Sequence, residues 1–136
     1  MGIDIKNFYL NTPMYKPEYL RMKIDNFPDD VIAHYNLRDK VDAKGFVVTR
    51  VDKGMYGLPH AGIIAQRLLE KRLSKEGYRQ STNTPGFWKH DTRPICFTLV
   101  VDDFGVKYEN QDEVDHLLMV LRKDYDIETD VAGSKY

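Results

Sequence analysis

Apolar and polar residues change period several times along the chain, and each change marks an element. The run Gly2–Leu10 is apolar and β-prone and reads as a strand that Asn11-Thr12-Pro13 ends. Tyr19–Ile24 alternates apolar with basic positions, as a half-buried strand does. Pro28 suits the first turn of a short helix through Asp29, Asp30, Val31, Ile32 and Tyr35. Phe46–Val51 is β-branched and predicts a third strand, and Gly54–Gly62 is a glycine-punctuated turn. The spacing then becomes helical: Ile64, Ala65, Leu68, Leu69 and Leu73 recur on one stripe, with Arg67, Lys71, Arg72 and Lys75 mostly between them, and Gly77 stops the helix.

Phe87–Lys89 and Ile95–Val101 read as strands, the second entering a hairpin that leaves through Phe104–Tyr108 with Asp102-Asp103 at its tip. Asn110 and Glu113 have capping-box spacing, and Val114, Leu117, Leu118 and Leu121 mark the apolar face of a last helix. The order β, β, short α, β, α, β, β-hairpin, α predicts an α+β fold, an antiparallel sheet with helices on one face.

Composition narrows the class. The chain has 136 residues, 42% of them hydrophobic, enough for one domain with a core. No apolar run approaches the length of a membrane span, and Ile3-Asp4 at the start does not resemble a signal peptide. The single cysteine, Cys96, excludes an internal disulfide and reads as a small hydrophobe in a strand. No Cys and His spacing suggests zinc. Twenty Lys and Arg against 21 Asp and Glu leave a net charge of −1, a poor electrostatic match for a nucleic-acid duplex. If the chain handles nucleic acid, other segments supply most phosphate contacts.

Three acids are the candidate chemistry. Asp102 and Asp103 sit at the hairpin tip, and Asp4 interrupts an apolar strand, where Asp is uncommon. An Asp-Asp pair between strands is ordinarily a turn and nothing more. If the two elements are sheet neighbours, however, the carboxylates converge into the oxygen-rich site that magnesium prefers, and a pair of such ions moves phosphoryl groups.

The runs DIKNFYLNTPM, KGMYGLPHAG and LVVDDFGVKY stand in the order and spacing of motifs A, B and C of a reverse transcriptase palm. From Ile3 to about Gly133 the chain resembles the RNA-directed DNA polymerase of copia-type retrotransposons. The resemblance implies a ferredoxin-like palm truncated at both ends, lacking fingers, thumb and RNase H. It implies two magnesium ions, or manganese in their place, held by Asp4, Asp102 and the Ile5 carbonyl, with Asp103 in support. It implies that Tyr9 is a steric gate beneath the sugar of the incoming deoxynucleotide, against the plainer reading of a core aromatic. His60 stands where the family shows a nucleotide-lining Gln, and Val100 where it shows an aromatic. Lys123 and Lys135 are candidates for the family's lysine that protonates pyrophosphate. The implied partners are an RNA or DNA template-primer and deoxynucleotides, with no membrane, and the implied setting is intracellular, a cytoplasmic particle or the nucleus. The piece by itself is expected not to extend a primer. Two rival readings are a non-catalytic remnant of a retroelement polyprotein, at most associating with nucleic acid or a partner chain, and a different metal-dependent phosphotransferase.

Overall fold

The computed structural model describes residues 1–131. The elements run β1 (Gly2–Ile5), β2 (Pro13–Lys23), α1 (Asp29–His34), β3 (Phe46–Lys53), α2 (Ala61–Lys75), β4 (Tyr78–Gln80), β5 (Phe87–His90), β6 (Ile95–Val100), β7 (Asp103–Tyr108), α3 (Gln111–Arg122) and β8 (Ile127–Asp130). The chain forms two compact units. One comprises Met1–Thr12 with the chain from Gly54 onward; the other is Pro13–Lys53. The class is α+β, as the sequence predicts.

The larger unit is built on one six-stranded sheet, ordered β4-β5-β6-β7-β1-β8. Every neighbouring pair in it is antiparallel. Ile3 lies opposite Phe104 and Trp88 opposite Phe97, so strand alternation puts Ile3, Ile5, Trp88, Ile95, Phe97, Leu99, Phe104 and Val106 on one face. These residues are buried in one cluster with Ala65, Leu69 and Leu73 of α2 and Val114, Leu117 and Leu121 of α3. Both helices therefore cover the same face. Each fully buried Leu or Phe contributes about 2 kcal/mol relative to exposure, and this cluster holds the unit together.

Tertiary structure changes several local expectations. The first strand ends at Ile5, not Leu10. Asn7 adopts a left-handed φ of 52°, the Asn11 N–H donates to the Asn7 carbonyl at 3.1 Å, and the Thr12 hydroxyl donates to the Phe8 carbonyl at 2.9 Å. This coil drops the Phe8 ring into the core, whereas a continuing strand would set Phe8 on the Asp4 face, away from it. Gly77 ends α2 with φ at 89°, and a Cβ there would lie 2.8 Å from the His90 ring. The capping box of α3 does not form: Asn110 makes no side-chain cap bond, and the Glu113 carboxylate accepts instead from Arg93 at 3.1 Å. Strands β4 and β8 are additional to the sequence expectation. The first is three residues long, and the second carries an acid at every other position.

The smaller unit is the β2–β3 hairpin with α1 and two short 3-10 turns. Strand β2 starts at Pro13, earlier than the alternation of Tyr19–Ile24 suggests, and Ile24 opens a 3-10 turn beyond it. Val47 packs with Ile32 and Leu37 in a small core. Asp42 ties the hairpin's loop. Its carboxylate accepts from the Phe46 and Lys44 N–H groups at 2.9 and 2.8 Å and from Arg21 at 2.7 Å. The Phe46 N–H, then Arg21, hold that carboxyl below the usual range. Among the described residues no helix is long and apolar enough to cross a membrane.

Candidate metal and nucleotide site

Register brings the predicted acids to one end of the larger sheet. Asp4 in β1 lies directly opposite Asp103 in β7. Next along the ladder, the Ile5 N–H donates to the Asp102 carbonyl at 3.1 Å. Met1 and Val106 exchange bonds of 3.0 and 2.8 Å further back. Hydrogen-bonded pairs alternate along an antiparallel ladder, so Asp4 and Asp103 form a non-bonded pair, with Cα atoms about 4.5 Å apart and side chains on the same face. That face is the one without helices.

The hairpin turns at Val101-Asp102, one residue earlier than the acidic tip predicted. Asp103 is already the first residue of β7 and pairs with Val100. Val101 sits at φ 59°. A β-branched side chain in the left-handed region is strained, at roughly 1–3 kcal/mol, and the surrounding ladder holds it there.

The sequence reading missed β8. This strand sets Glu128 opposite Asp4 on its other side, and Asp130 opposite Gly2. Asp103, Asp4 and Glu128 thus form a row across three neighbouring strands at about 4.8 Å per strand. With Gly2 and Asp130 they line a hollow of about 280 Å³. The signal was the alternation Ile127-Glu128-Thr129-Asp130, obscured because acids are depleted in strands. Lys6 answers the charge: its ammonium lies 2.8 Å from Glu128 and 3.9 Å from Asp126. The hydrogen bond to Glu128 leads in raising the Lys6 pKa, and Asp4 adds to the effect.

Among the described residues, no group of three or more His, Cys, Asp or Glu side chains is close enough to form a ready-made metal site. The structure joins Asp4 to Asp103 by register and Ile5 to Asp102 through the backbone, without a closed ligand shell. The donor set fits a hard divalent cation: every candidate ligand is a carboxylate or carbonyl oxygen. The Ile5 side chain is buried in the core, which leaves only its backbone to serve.

Tyr9 follows the coil and is not on a strand, so its orientation does not come from strand alternation. Its half-buried ring packs 4.8 Å from that of Tyr56 and 5.6 Å from that of Phe8. Gly62, in the first turn of α2, lets it approach: a Cβ there would meet the Tyr9 hydroxyl at 3.4 Å. Tyr9, Gly62, Gln66, Arg67 and Val101 border a groove of about 510 Å³. The gate candidate, the start of the α2 helix and the hairpin tip therefore share one opening. His60 is not among the residues lining that groove. It is exposed at the start of α2, where its carbonyl accepts from the Ile64 N–H at 3.0 Å while its ring caps nothing. Lys123 is engaged elsewhere, 2.7 Å from Glu76, and its hydrogen bond draws the Glu76 carboxyl below its usual range. Lys135 lies outside the described residues.

No protein-family model matches the chain, and no curated protein matches it.

Proposed function

We propose that this chain is the palm core of an RNA-directed DNA polymerase of the copia retrotransposon type, which transfers a nucleotide to a primer 3′-hydroxyl. The carrying observation is register: the acid of the first motif stands opposite one acid of the third, and its neighbour Ile5 is bonded to the backbone of the other. A pair of magnesium ions, when bound, supplies activation of the 3′-hydroxyl and neutralisation of the leaving pyrophosphate. Asp4 and Asp102, with the Ile5 carbonyl, offer the oxygens that hold such ions, and Asp103 adds negative charge beside them. Tyr9 presents a rigid ring at the groove it shares with Val101, where its bulk excludes a sugar bearing a 2′-hydroxyl. The groups that grip triphosphate and primer come from fingers and thumb segments in this reading, because phosphoryl transfer depends on positioning and electrostatic stabilisation together.

Two measurements test it. Manganese titration of the chain, followed by water-proton relaxation, shows binding that Asp4→Asn and Asp102→Asn each weaken. No binding at millimolar metal overturns the assignment of the ligands. Primer extension on an RNA template, with the chain joined to fingers and thumb segments, proceeds with deoxynucleotides and is abolished by Asp102→Asn. A folded assembly that extends no primer overturns the polymerase reading.

A further inference from the structure

The β2–β3 hairpin presents a second face whose chemistry the polymerase reading does not use. Its register pairs Tyr19 with Arg50, Arg21 with Val48 and Lys23 with Phe46. Cross-strand partners share a face, so each successive pair sets one cation beside one apolar or aromatic side chain. The half-buried Met22 and the core residue Val47 pair on the opposite face. Tyr19 is 67% exposed and Val48 is 59% exposed. The Arg21 guanidinium lies 3.8 Å from the centroid of the Phe46 ring, and the Lys23 ammonium lies 5.9 Å from it.

We propose that this face binds single-stranded nucleic acid, with bases stacking on Tyr19 and backbone phosphates meeting Arg21, Lys23 and Arg50. Pairs on one face recur every second residue, about 7 Å along the strands, so the cations form a track and not a point. An exposed tyrosine ring beside that track is a stacking platform, the feature that separates single-strand binding from simple attraction to polyanions. Two acids oppose the track: Arg21 pairs with Asp42 at 2.7 Å and Arg50 with Asp52 at 2.6 Å. Both ion pairs are solvent-exposed, so each is weak, and a phosphate oxygen competes with the carboxylate for the same guanidinium. Arg21 stays seated on Phe46 while its outer edge changes partner. The proposal is argued from the hairpin's own geometry and adds a single-strand site to the template-primer partner that the polymerase reading implies. Manganese binding at Asp4 and Asp102 tests that reading separately.

The experiment is fluorescence anisotropy of the full chain with a labelled oligouridylate or oligothymidylate across a salt series. Three phosphate contacts predict a slope of log K against log salt of about −2. Tyr19→Ala weakens binding about tenfold, and Lys23→Gln makes the salt slope shallower. Neither substitution touches the Asp42 knot or the small core, and far-UV circular dichroism confirms that both variants remain folded. Unchanged affinity in Tyr19→Ala overturns the proposal. So does tighter binding to a duplex of the same length, or equal binding to heparin, either of which reports attraction to polyanions without stacking.

Discussion

On the six-stranded sheet, the face away from the helices carries Asp4, Asp103, Glu128 and, beside them, Asp130. On the two-stranded sheet, the face away from α1 carries Arg21, Lys23 and Arg50, each opposite an apolar or aromatic partner. Both faces arise from the same alternation, yet they differ in what they tolerate. Among the described residues, nineteen form the buried cluster of the larger unit, against three in the smaller. Like charges directly across a ladder repel by about 0.2–1 kcal/mol per pair. A large core absorbs that cost, so the larger unit can hold acids in a row. A two-stranded ribbon on its own is marginal and depends on packing against a helix. Its open face instead places Arg21 and Lys23 over one aromatic ring, Phe46, an arrangement that is itself attractive.

Core truncation separates the two units most strongly. Phe97 is 1% exposed and lies 5.2 Å from Phe104 and 5.5 Å from Tyr78 by ring centroid. Phe97→Ala is expected to cost the larger unit about 4 kcal/mol, read by urea denaturation with the Trp88 fluorescence as probe. An effect below about 1 kcal/mol would mean that this cluster is not what holds the sheet. Val47→Ala removes two methyl groups from the small core and costs about 2 kcal/mol. Amide exchange is the measurement that resolves it: protection falls throughout β2 and β3 and stays unchanged in β6 and β7. Equal loss in both sheets would show one cooperative unit where the contacts divide into two.

The acidic row sharpens the comparison at smaller magnitude. Without divalent metal, Asp103→Asn relieves the repulsion across from Asp4 and raises stability by about 0.5 kcal/mol. With manganese the sign reverses, because a cation that binds the folded state stabilises it in proportion to its occupancy. Thermal melts with and without metal detect both signs, and a variant less stable than the parent in metal-free buffer would contradict the repulsion. The smallest effect concerns pH. His116 accepts or donates at 3.0 Å to the Tyr78 hydroxyl. Burial, then the charges of Arg93 and His90, push its pKa below the usual 6.5, against the weaker opposing pull of Glu76 and Glu113. The folded state binds its proton less readily than the unfolded chain. That stability is therefore present above about pH 6.5 and is lost as pH falls below it. Urea midpoints at pH 7.5 and pH 5.5 should differ in the parent and differ less in His116→Gln.

Much of the fold is readable from residue spacing. Of the stripe Ile64, Ala65, Leu68, Leu69 and Leu73 that predicts α2, Ala65, Leu69 and Leu73 are buried while Ile64 and Leu68 are half-buried, and Ile95, Phe97 and Leu99 alternate inward as a strand requires. The hairpin is legible for the same reason. What failed to read was local and short. The coil after Ile5 depends on a left-handed Asn7 and on Phe8 reaching a core made by distant elements. Strand β4 is too short to show a period, and β8 conceals its alternation behind two acids.

The sequence by itself determined the class, the long helices, the apolar hairpin and the identity of the acids, because those follow from periodicity and from the chemistry of single side chains. Which acids face one another was decided only by tertiary structure. A strand of four residues has no preferred neighbour of its own, and β1 finds its place between β7 and β8 because its alternating Ile3 and Ile5 must join the common core. Once that face is buried, the period of two leaves Asp4 no choice of side. The pairing with Asp103 and Glu128 follows from that packing.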